Sequence, residues 1–497
     1  MNKTVLAFDI GASSGRAILG KIVKGDLQIK EVHRFENIPI YSNGHLYWDI
    51  YKLYSDIKTG IKKAVHFTGK DRIQSIGIDT WGVDFGFINS DGELSDNPLH
   101  YRDKRTSGVQ EEAEKIIPKT ELYEKTGIQF MFSNTLYQLI GMQRKQPEIT
   151  TEGKKLLMIP DILINMLTGS VACEETIAST TQIYNPMLRN WDESIAEKIS
   201  ISKDIFPEIL QPGSFRGYIK DEICRELDIY PIALCTVAEH DTASAVVSRP
   251  CISGTENEDH ACVSCGTVSI LGAETDAPYL SGKAFEYNFT NEVGYDSKIR
   301  LMKNIAGMWL INESRRWWEK EIRLFTFEEL TSMAANSEPF RYMIDPDGDN
   351  YIHPGNIPER IQEYCVNTGQ GKPKAIGDIV RTIYESIAAK HALYLRKLSE
   401  ITNTEYKAIN LLGGGSKNVM FCKMLSSACG LPVIAGPSEA TAIGNCLVQL
   451  IALGEIEDLT VARKIVGKMS EIKRYEPENL DQWQDYIEKY RNFMKWR

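Results

Sequence analysis

The chain has 497 residues and a mass of 56.1 kDa, more than one ordinary hydrophobic core organises, so roughly two to four domains are expected. A composition of 42% hydrophobic and 25% charged residues is that of a globular protein; 57 Lys+Arg against 67 Asp+Glu give a net charge of -10, which excludes a general nucleic-acid binder but not a local basic pocket. Charges interrupt every apolar run short of a membrane span, Asp9 falls too early for a secretion signal, and ten scattered Cys fit a reducing compartment, so a cytoplasmic multi-domain enzyme is expected.

Thr4 to Ile10 reads as a strand, Gly11 to Gly15 as a small polar turn, and Arg16 to Val23 as a second strand. Gly25-Asp26 marks a hairpin turn before a third strand, Leu27 to Phe35. Asp49 is placed to cap a helix carrying Ile50, Leu53, Tyr54, Ile57 and Ile61 at helical spacing. Ile73 to Asp79 and Val83 to Asn89 read as strands on either side of Trp81-Gly82. Asn134 to Arg144 and Pro160 to Leu167 read as helices, whereas 185–225 is mixed. The opening pattern then returns: strand Ala261 to Ser264, turn Cys265-Gly266-Thr267, strand Val268 to Ala273. A long helix, Ile376 to Ser399, leads into strand Ala408 to Leu412 and Gly413-Gly414-Gly415. Helix Val419 to Cys429, strand Pro432 to Ala435 and a helix from Thr441 follow. Two similar halves point to an internal duplication, with a seam over 246–260 where Pro250, Gly254 and acidic residues break the pattern. The domains are expected over 1–247 and 248–455, followed by a charged helical appendix over 456–497.

The turn from Asp9 to Arg16 has the makings of a phosphate nest. Its small residues expose backbone N–H groups, Gly11 and Gly15 permit positive φ and close approach, and Ser13 and Ser14 add donors. Arg16 can chelate phosphate, and Asp9 fits if a divalent cation stands between carboxylate and phosphate. A solvated hairpin turn is the plain alternative. GASSG also matches a nucleophile elbow, but that motif joins a strand to a helix, and here a strand follows. Neither a Rossmann fingerprint nor a Walker A loop fits any glycine-rich segment. Ser264-Cys265-Gly266-Thr267 offers a second phosphate turn, and the flat glycine surface of 411–418 suits a base or ribose. Cys262 and Cys265 have no second Cys/His pair nearby, which argues against a metal or redox site. Glu239-His240-Asp241 ends an apolar stretch and opens a helix, a setting that holds a carboxylate ionised and aimed, as a general base for a hydroxyl requires. An ordinary Asp N-cap is the bland reading. Asp79-Thr80 and Asp241-Thr242 fail the aspartic-protease pattern, which needs Gly third.

These segments resemble the FGGY carbohydrate kinases over about residues 4–450. AFDIGASSGRA (7–17), EHDTASAV (239–246) and LLGGGSKN (411–418) place the family, and SCGTVS (264–269) also carries the resemblance. SIGIDTWGVDF (75–85), SNTLYQL (133–139) and VIAGPSEATAIGN (433–445) narrow it to the branch acting on L-rhamnulose. The resemblance implies an α/β fold of two actin-like, RNase H-like domains around a hinged cleft. It implies ATP-dependent phosphorylation of the 1-hydroxyl of L-rhamnulose, with Mg2+, by a monomer or small homo-oligomer that engages neither nucleic acid nor membrane. It implies phosphate contacts at Ala12, Ser13, Ser14, Gly15, Arg16, Gly266 and Thr267, adenosine contacts at Gly413 and Gly414, and a metal-facing Asp9. It implies Asp241 as the base, flanked by sugar contacts His240 and Thr242, with Gly82, Asn304 and Arg102 as further ones. The sequence departs from the family pattern at Val268, where Trp is expected, at Cys265 for Ser, and at Asn312 for an ATP-touching Gln. Leu136 and Gln138 replace the Lys and Trp of the general signature, a deviation that the L-rhamnulose branch shares. The rival readings are a kinase of L-fuculose, L-ribulose or D-xylulose, a non-catalytic sugar-binding regulator, and a sugar-independent ATPase on an actin-like core.

Overall fold

The computed structural model describes residues 3–69, 72–145, 153–252 and 259–495; Gly254 of the expected seam lies outside them. Residues cluster into two compact units. The first comprises Met1–Cys251, Glu274–Leu301 and Ala440–Lys468, the second Ile252–Ala273, Met302–Glu439 and Met469–Arg497.

The first unit is built on a sheet of β1 (Thr4–Ile10), β2 (Ser14–Val23), β3 (Asp26–Glu36), β4 (Ile73–Thr80), β5 (Phe215–Tyr218) and β6 (Ala233–Cys235), in the order β5-β6-β4-β1-β2-β3. β1 is buried along its whole length, because it is covered on both faces, and so reads as a continuous apolar run. It pairs antiparallel with β2 and parallel with β4, and this register sets Asp9 beside both Arg16 and Asp79. The β2–β3 turn is Lys24-Gly25 rather than Gly25-Asp26. Both residues have positive φ, +53° and +88°, as a two-residue turn matching strand twist requires, and Asp26 already belongs to β3. Helix Ile50–Thr68 starts where expected, with the Asp49 carboxylate accepting from the Lys52 N–H. Its Ile57 and Ile61 are fully buried, each stabilising by roughly 1.5–3 kcal/mol. Helix Ala440–Ala452 packs on β1, β4 and helix Asp241–Val247.

The second unit repeats the plan. Its sheet takes β7 (His260–Cys265), β8 (Val268–Thr275), β9 (Ile299–Ala306), β10 (Ala408–Leu412), β11 (Val433–Ala435) and β12 (Lys473–Tyr475) in the order β9-β8-β7-β10-β11-β12, with the short strand Thr290–Val293 along β9 as a seventh; residues 274–301, and so the start of β9, are counted with the first unit. β7 pairs antiparallel with β8 and parallel with β10, as β1 does with β2 and β4. In each unit a long helix, Ile50–Thr68 or Ile376–Thr402, precedes the parallel partner.

The C-terminal stretch is not an appendix. Helix Leu459–Gly467 belongs to the first unit, where Arg463 donates to the Val246 carbonyl and pairs with Glu274 at 2.6 Å. β12 pairs antiparallel with β11. Helix Leu480–Phe493 buries Trp483, Tyr486, Ile487 and Tyr490, and both Tyr hydroxyls donate to carbonyls, of Tyr342 and Ile344. Its charges occupy the outer face only, which is why composition alone reads as a solvated tail. Among the described residues no helix is long and apolar enough to cross a membrane. All ten Cys are free thiols, including Cys262 and Cys265.

Candidate active site

In the first unit the β1–β2 turn lies at the C-terminal end of β1. The Gly11 N–H donates to the Ser14 carbonyl at 2.9 Å, and the Asn37 amide donates to the Gly11 carbonyl at 3.0 Å. Ala12 and Ser14 are partly accessible and Ser13 is exposed. Gly11 and Gly15 do not take positive φ, contrary to the sequence reading. Gly15 is required for packing: a Cβ there would meet the Phe35 ring at 2.2 Å. Arg16 is turned onto Asp9, Nη2 to Oδ2 at 2.9 Å. Burial raises the Asp9 carboxyl above its ordinary range and Arg16 opposes this, while Asp241 adds to the rise.

At the neighbouring strand end, Asp79 Oδ2 accepts from the Asn445 amide at 2.6 Å, and Oδ1 is buried without a hydrogen-bond partner. Burial, and next the Asp9 carboxylate, push Asp79 well above the usual carboxylate range. The Thr80 N–H donates to the Glu239 carbonyl at 2.9 Å, which docks the segment 239–241 alongside β4. Asp241 is the first residue of helix Asp241–Val247, one position later than the N-cap, which is His240. The Asp241 Oδ1 accepts from the Thr242 N–H at 2.6 Å and from its hydroxyl at 3.1 Å. Its side chain keeps 32% exposure, and His240 Nε2 faces it at 3.4 Å. Behind this segment the Glu174 carboxylate accepts from the Glu239 N–H, and Arg216 pairs with Asp161 at 3.0 Å. His240 in turn meets Arg300 and Glu292, two residues to which no sequence motif pointed.

Gly82 sits against Thr180, where a Cβ would come within 3.0 Å. Beside it the buried Asp84 accepts from the indole N–H groups of Trp48 and Trp81, at 2.6 and 3.0 Å, and from Gln138 at 3.0 Å. Burial sets Asp84 at about 6, above the ordinary 3.8, despite these donors. Trp48 stacks on His100 at 4.1 Å between ring centroids, which fixes the segment leading to Arg102. Arg102 is exposed, its guanidinium 5.6 Å from the Tyr101 ring centroid.

In the second unit Gly266 and Thr267 form the exposed β7–β8 turn. The carbonyls of both accept from the N–H groups of Met308 and Trp309, each at 3.0 Å, which ties the turn to the start of helix Trp309–Glu321. That helix carries Asn312, and β9 before it carries Asn304. Gly413 has φ +80°, and its Cβ would lie 3.2 Å from the Cys265 carbonyl, whereas a Cβ on Gly414 would meet nothing. A cavity of about 710 Å3 opens here, within the ~300–1,000 Å3 of small-molecule sites. Gly266, Thr267, Asn312 and Gly414 line it together with Met308, Ile311, Phe327, Tyr384 and Val419. The apolar members suit one face of a flat heterocycle, and they escape a sequence reading because each looks like ordinary core. Asp9, Arg16, Gly82, Arg102, His240, Asp241 and Thr242 belong to the first unit, and Gly266, Thr267, Asn304, Asn312, Gly413 and Gly414 to the second, where Asn304 and Gly413 are not among the residues lining the cavity.

Two family models match the chain: the N-terminal domain of the FGGY family of carbohydrate kinases over 4–248 and its C-terminal domain over 261–453. The chain is 39% identical to a rhamnulokinase of Bacteroides thetaiotaomicron over 97% of its own length and 98% of the relative. It is 36% identical to a rhamnulokinase of Bacillus subtilis, covering 96% of both. Among solved structures, gluconate kinase from Lactobacillus acidophilus superposes with a TM-score of 0.80 at 19% identity, covering 99% of this chain and 98% of that one. Plasmodium falciparum glycerol kinase, solved with ADP, gives 0.79 at 16% identity and the same coverage. These likenesses show the two-domain sugar-kinase fold.

Proposed function

The chain belongs to the FGGY family of carbohydrate kinases and is a carbohydrate kinase, and on that premise we propose that it transfers the terminal phosphoryl group of ATP to the 1-hydroxyl of L-rhamnulose, yielding L-rhamnulose 1-phosphate and ADP. The substrate rests on the rhamnulokinase relatives, which match nearly the whole chain. The observation that carries the chemistry is Asp241: a partly exposed carboxylate held by two donors of Thr242 at a helix start, with an imidazole beside it.

In this reading Asp241 accepts a hydrogen bond from the attacking hydroxyl, orients its lone pair, and takes the proton late, since phosphoryl transfer passes through a loose transition state. His240, Thr242, Gly82 and Arg102, all of the first unit, bind the ketose. The 710 Å3 cavity takes the nucleoside, with Asn312 and Gly414 along it, Gly413 leading into it, and Gly266 and Thr267 at its phosphates. Ala12, Ser13, Ser14, Gly15 and Arg16 offer donors to the transferred group. Arg16, being paired with Asp9, acts as half of an ion pair rather than as a lone cation.

The family also implies Mg2+, which supplies charge neutralisation on the phosphates. Asp9 and the partnerless Asp79 Oδ1 are the hard oxygen donors that this ion prefers. Among the described residues no three Asp, Glu, His or Cys side chains converge as a cage. They fit an ion that keeps most of its water.

Asp241→Asn should keep the fold and ATP binding while lowering kcat by at least ~100-fold; a variant with near-native kcat would overturn the assignment. A coupled ADP-release assay across L-rhamnulose, L-fuculose, L-ribulose and D-xylulose tests the substrate. L-rhamnulose should give the highest kcat/KM, and a higher value for another ketose refutes the choice.

A further inference from the structure

The geometry around His240 assigns a role to two residues that neither motif nor family match singles out: we propose that Arg300 and Glu292 are positioning residues that fix the imidazole tautomer and, through it, the Asp241 carboxylate. The inference rests on the reading of Asp241 as the base. All four residues lie in the first unit.

Arg300 is fully buried in β9, and Glu292 lies on the short strand Thr290–Val293. The Arg300 guanidinium is locked from two sides. Its Nε donates to the Val293 carbonyl at 3.1 Å, and its Nη2 donates to Glu292 Oε2 at 3.0 Å. The same Nη2 lies 2.9 Å from His240 Nδ1, and Glu292 Oε2 lies 3.2 Å from that nitrogen. The imidazole is held from its backbone as well, since the His240 N–H donates to Thr176 Oγ1 at 3.2 Å.

A guanidinium donates and never accepts. Two groups compete for His240 Nδ1, and the Arg300 donor at 2.9 Å makes the hydrogen bond whereas Glu292 Oε2 stands off at 3.2 Å, so Nδ1 offers its lone pair to Arg300 and the ring proton sits on Nε2. That N–H faces Asp241 Oδ1 at 3.4 Å. Glu292 is what makes the arrangement affordable: it balances the buried Arg300 charge beside a neutral ring. Burial alone would raise the Glu292 carboxyl, but the Arg300 guanidinium beside it is the main opposing influence and holds it below the ordinary range, so it stays an anion. The charged groups facing the ring are thus Arg300, Glu292 and Asp241, and together they leave one tautomer. An oriented donor beside a catalytic carboxylate limits its rotation, so the face it turns toward the substrate hydroxyl is set before binding.

The test begins on the unmodified protein. Histidine 15N shifts at neutral pH, with the His240 signal assigned by its loss in His240→Asn, should show the proton on Nε2. A proton on Nδ1, or on both nitrogens, overturns the proposal without any variant. Arg300→Met should mix the two tautomers. Glu292→Gln should lower kcat by about 10–100-fold, with the KM for ATP within about twofold of native, as expected for misorientation rather than lost binding. Native kcat and an unchanged tautomer in both variants would also refute it. The parent reading fails separately: turnover surviving in Asp241→Asn removes the base itself, whereas an inactive Asp241→Asn with the wrong His240 tautomer removes only the role of Arg300 and Glu292.

Discussion

Val83 has φ +67°, a conformation that a β-branched side chain rarely takes. Three hydrogen bonds impose it: its N–H donates to Thr180 Oγ1, and its carbonyl accepts from Thr135 Oγ1 and from Gln138. Strain at this position, between Gly82 and Asp84, holds the proposed sugar loop in one shape. Val83→Gly should therefore raise the Tm by relieving about 1 kcal/mol while raising the KM for the ketose; a melt and a KM that both stay native would show that the backbone stores nothing there. His391 gives a second residue-level test. It is buried in helix Ile376–Thr402, its Nδ1–H bonded to the Ile387 carbonyl and its Nε2 accepting from Ser269 at 2.7 Å. Burial, the largest influence, holds the ring at about 4 against an ordinary 6.5. The folded ring stays neutral while the unfolded chain gains a proton below 6.5, so stability is full above that pH and falls by about 3 kcal/mol as pH drops toward 4. His391→Gln should flatten the urea midpoint across that window, and an unaltered slope would refute the linkage.

Helix Ala440–Ala452 crosses helix Asp241–Val247 so closely that a Cβ on Gly444 would lie 1.7 Å from the Ser244 carbonyl oxygen. Gly444→Ala should cost about 3 kcal/mol and depress kcat, because the yielding partner is the helix that begins with Asp241; native stability by urea unfolding would refute the contact. Elements of this kind were largely legible from the chain. Alternating strands, the Asp49 cap and the duplicated strand–turn–strand each leave a local signal. What escaped depends on pairs distant in sequence. Nothing near Gly15 announces Phe35, nothing near His240 announces Arg300, and β12 is too short to show a period. The stripe Trp483, Tyr486, Ile487, Tyr490 does carry helical spacing, but the surrounding charges masked it.

At the scale of the whole molecule, neither unit is a continuous stretch of chain. The first takes back Ala440–Lys468 after the second has largely been laid down, and the second is completed by Met469–Arg497. A chain ending at Lys468 keeps every residue of the first unit but lacks β12 and helix Leu480–Phe493. Limited proteolysis of that truncation should leave fragments of the first unit protected and digest the second. Equal protection of both would mean that the tail is dispensable.

The same return of the chain bears on how the protein emerges from the ribosome. The first unit awaits Gly444 and its helix, and β11 has an open edge until β12 is made. The first sheet has all its strands by Cys235 but waits for helix Ala440–Ala452 to cover β1 and β4, whereas the second sheet stays open at β11 until Lys473–Tyr475 follows, and that β11 edge is the natural place for a holding chaperone to act.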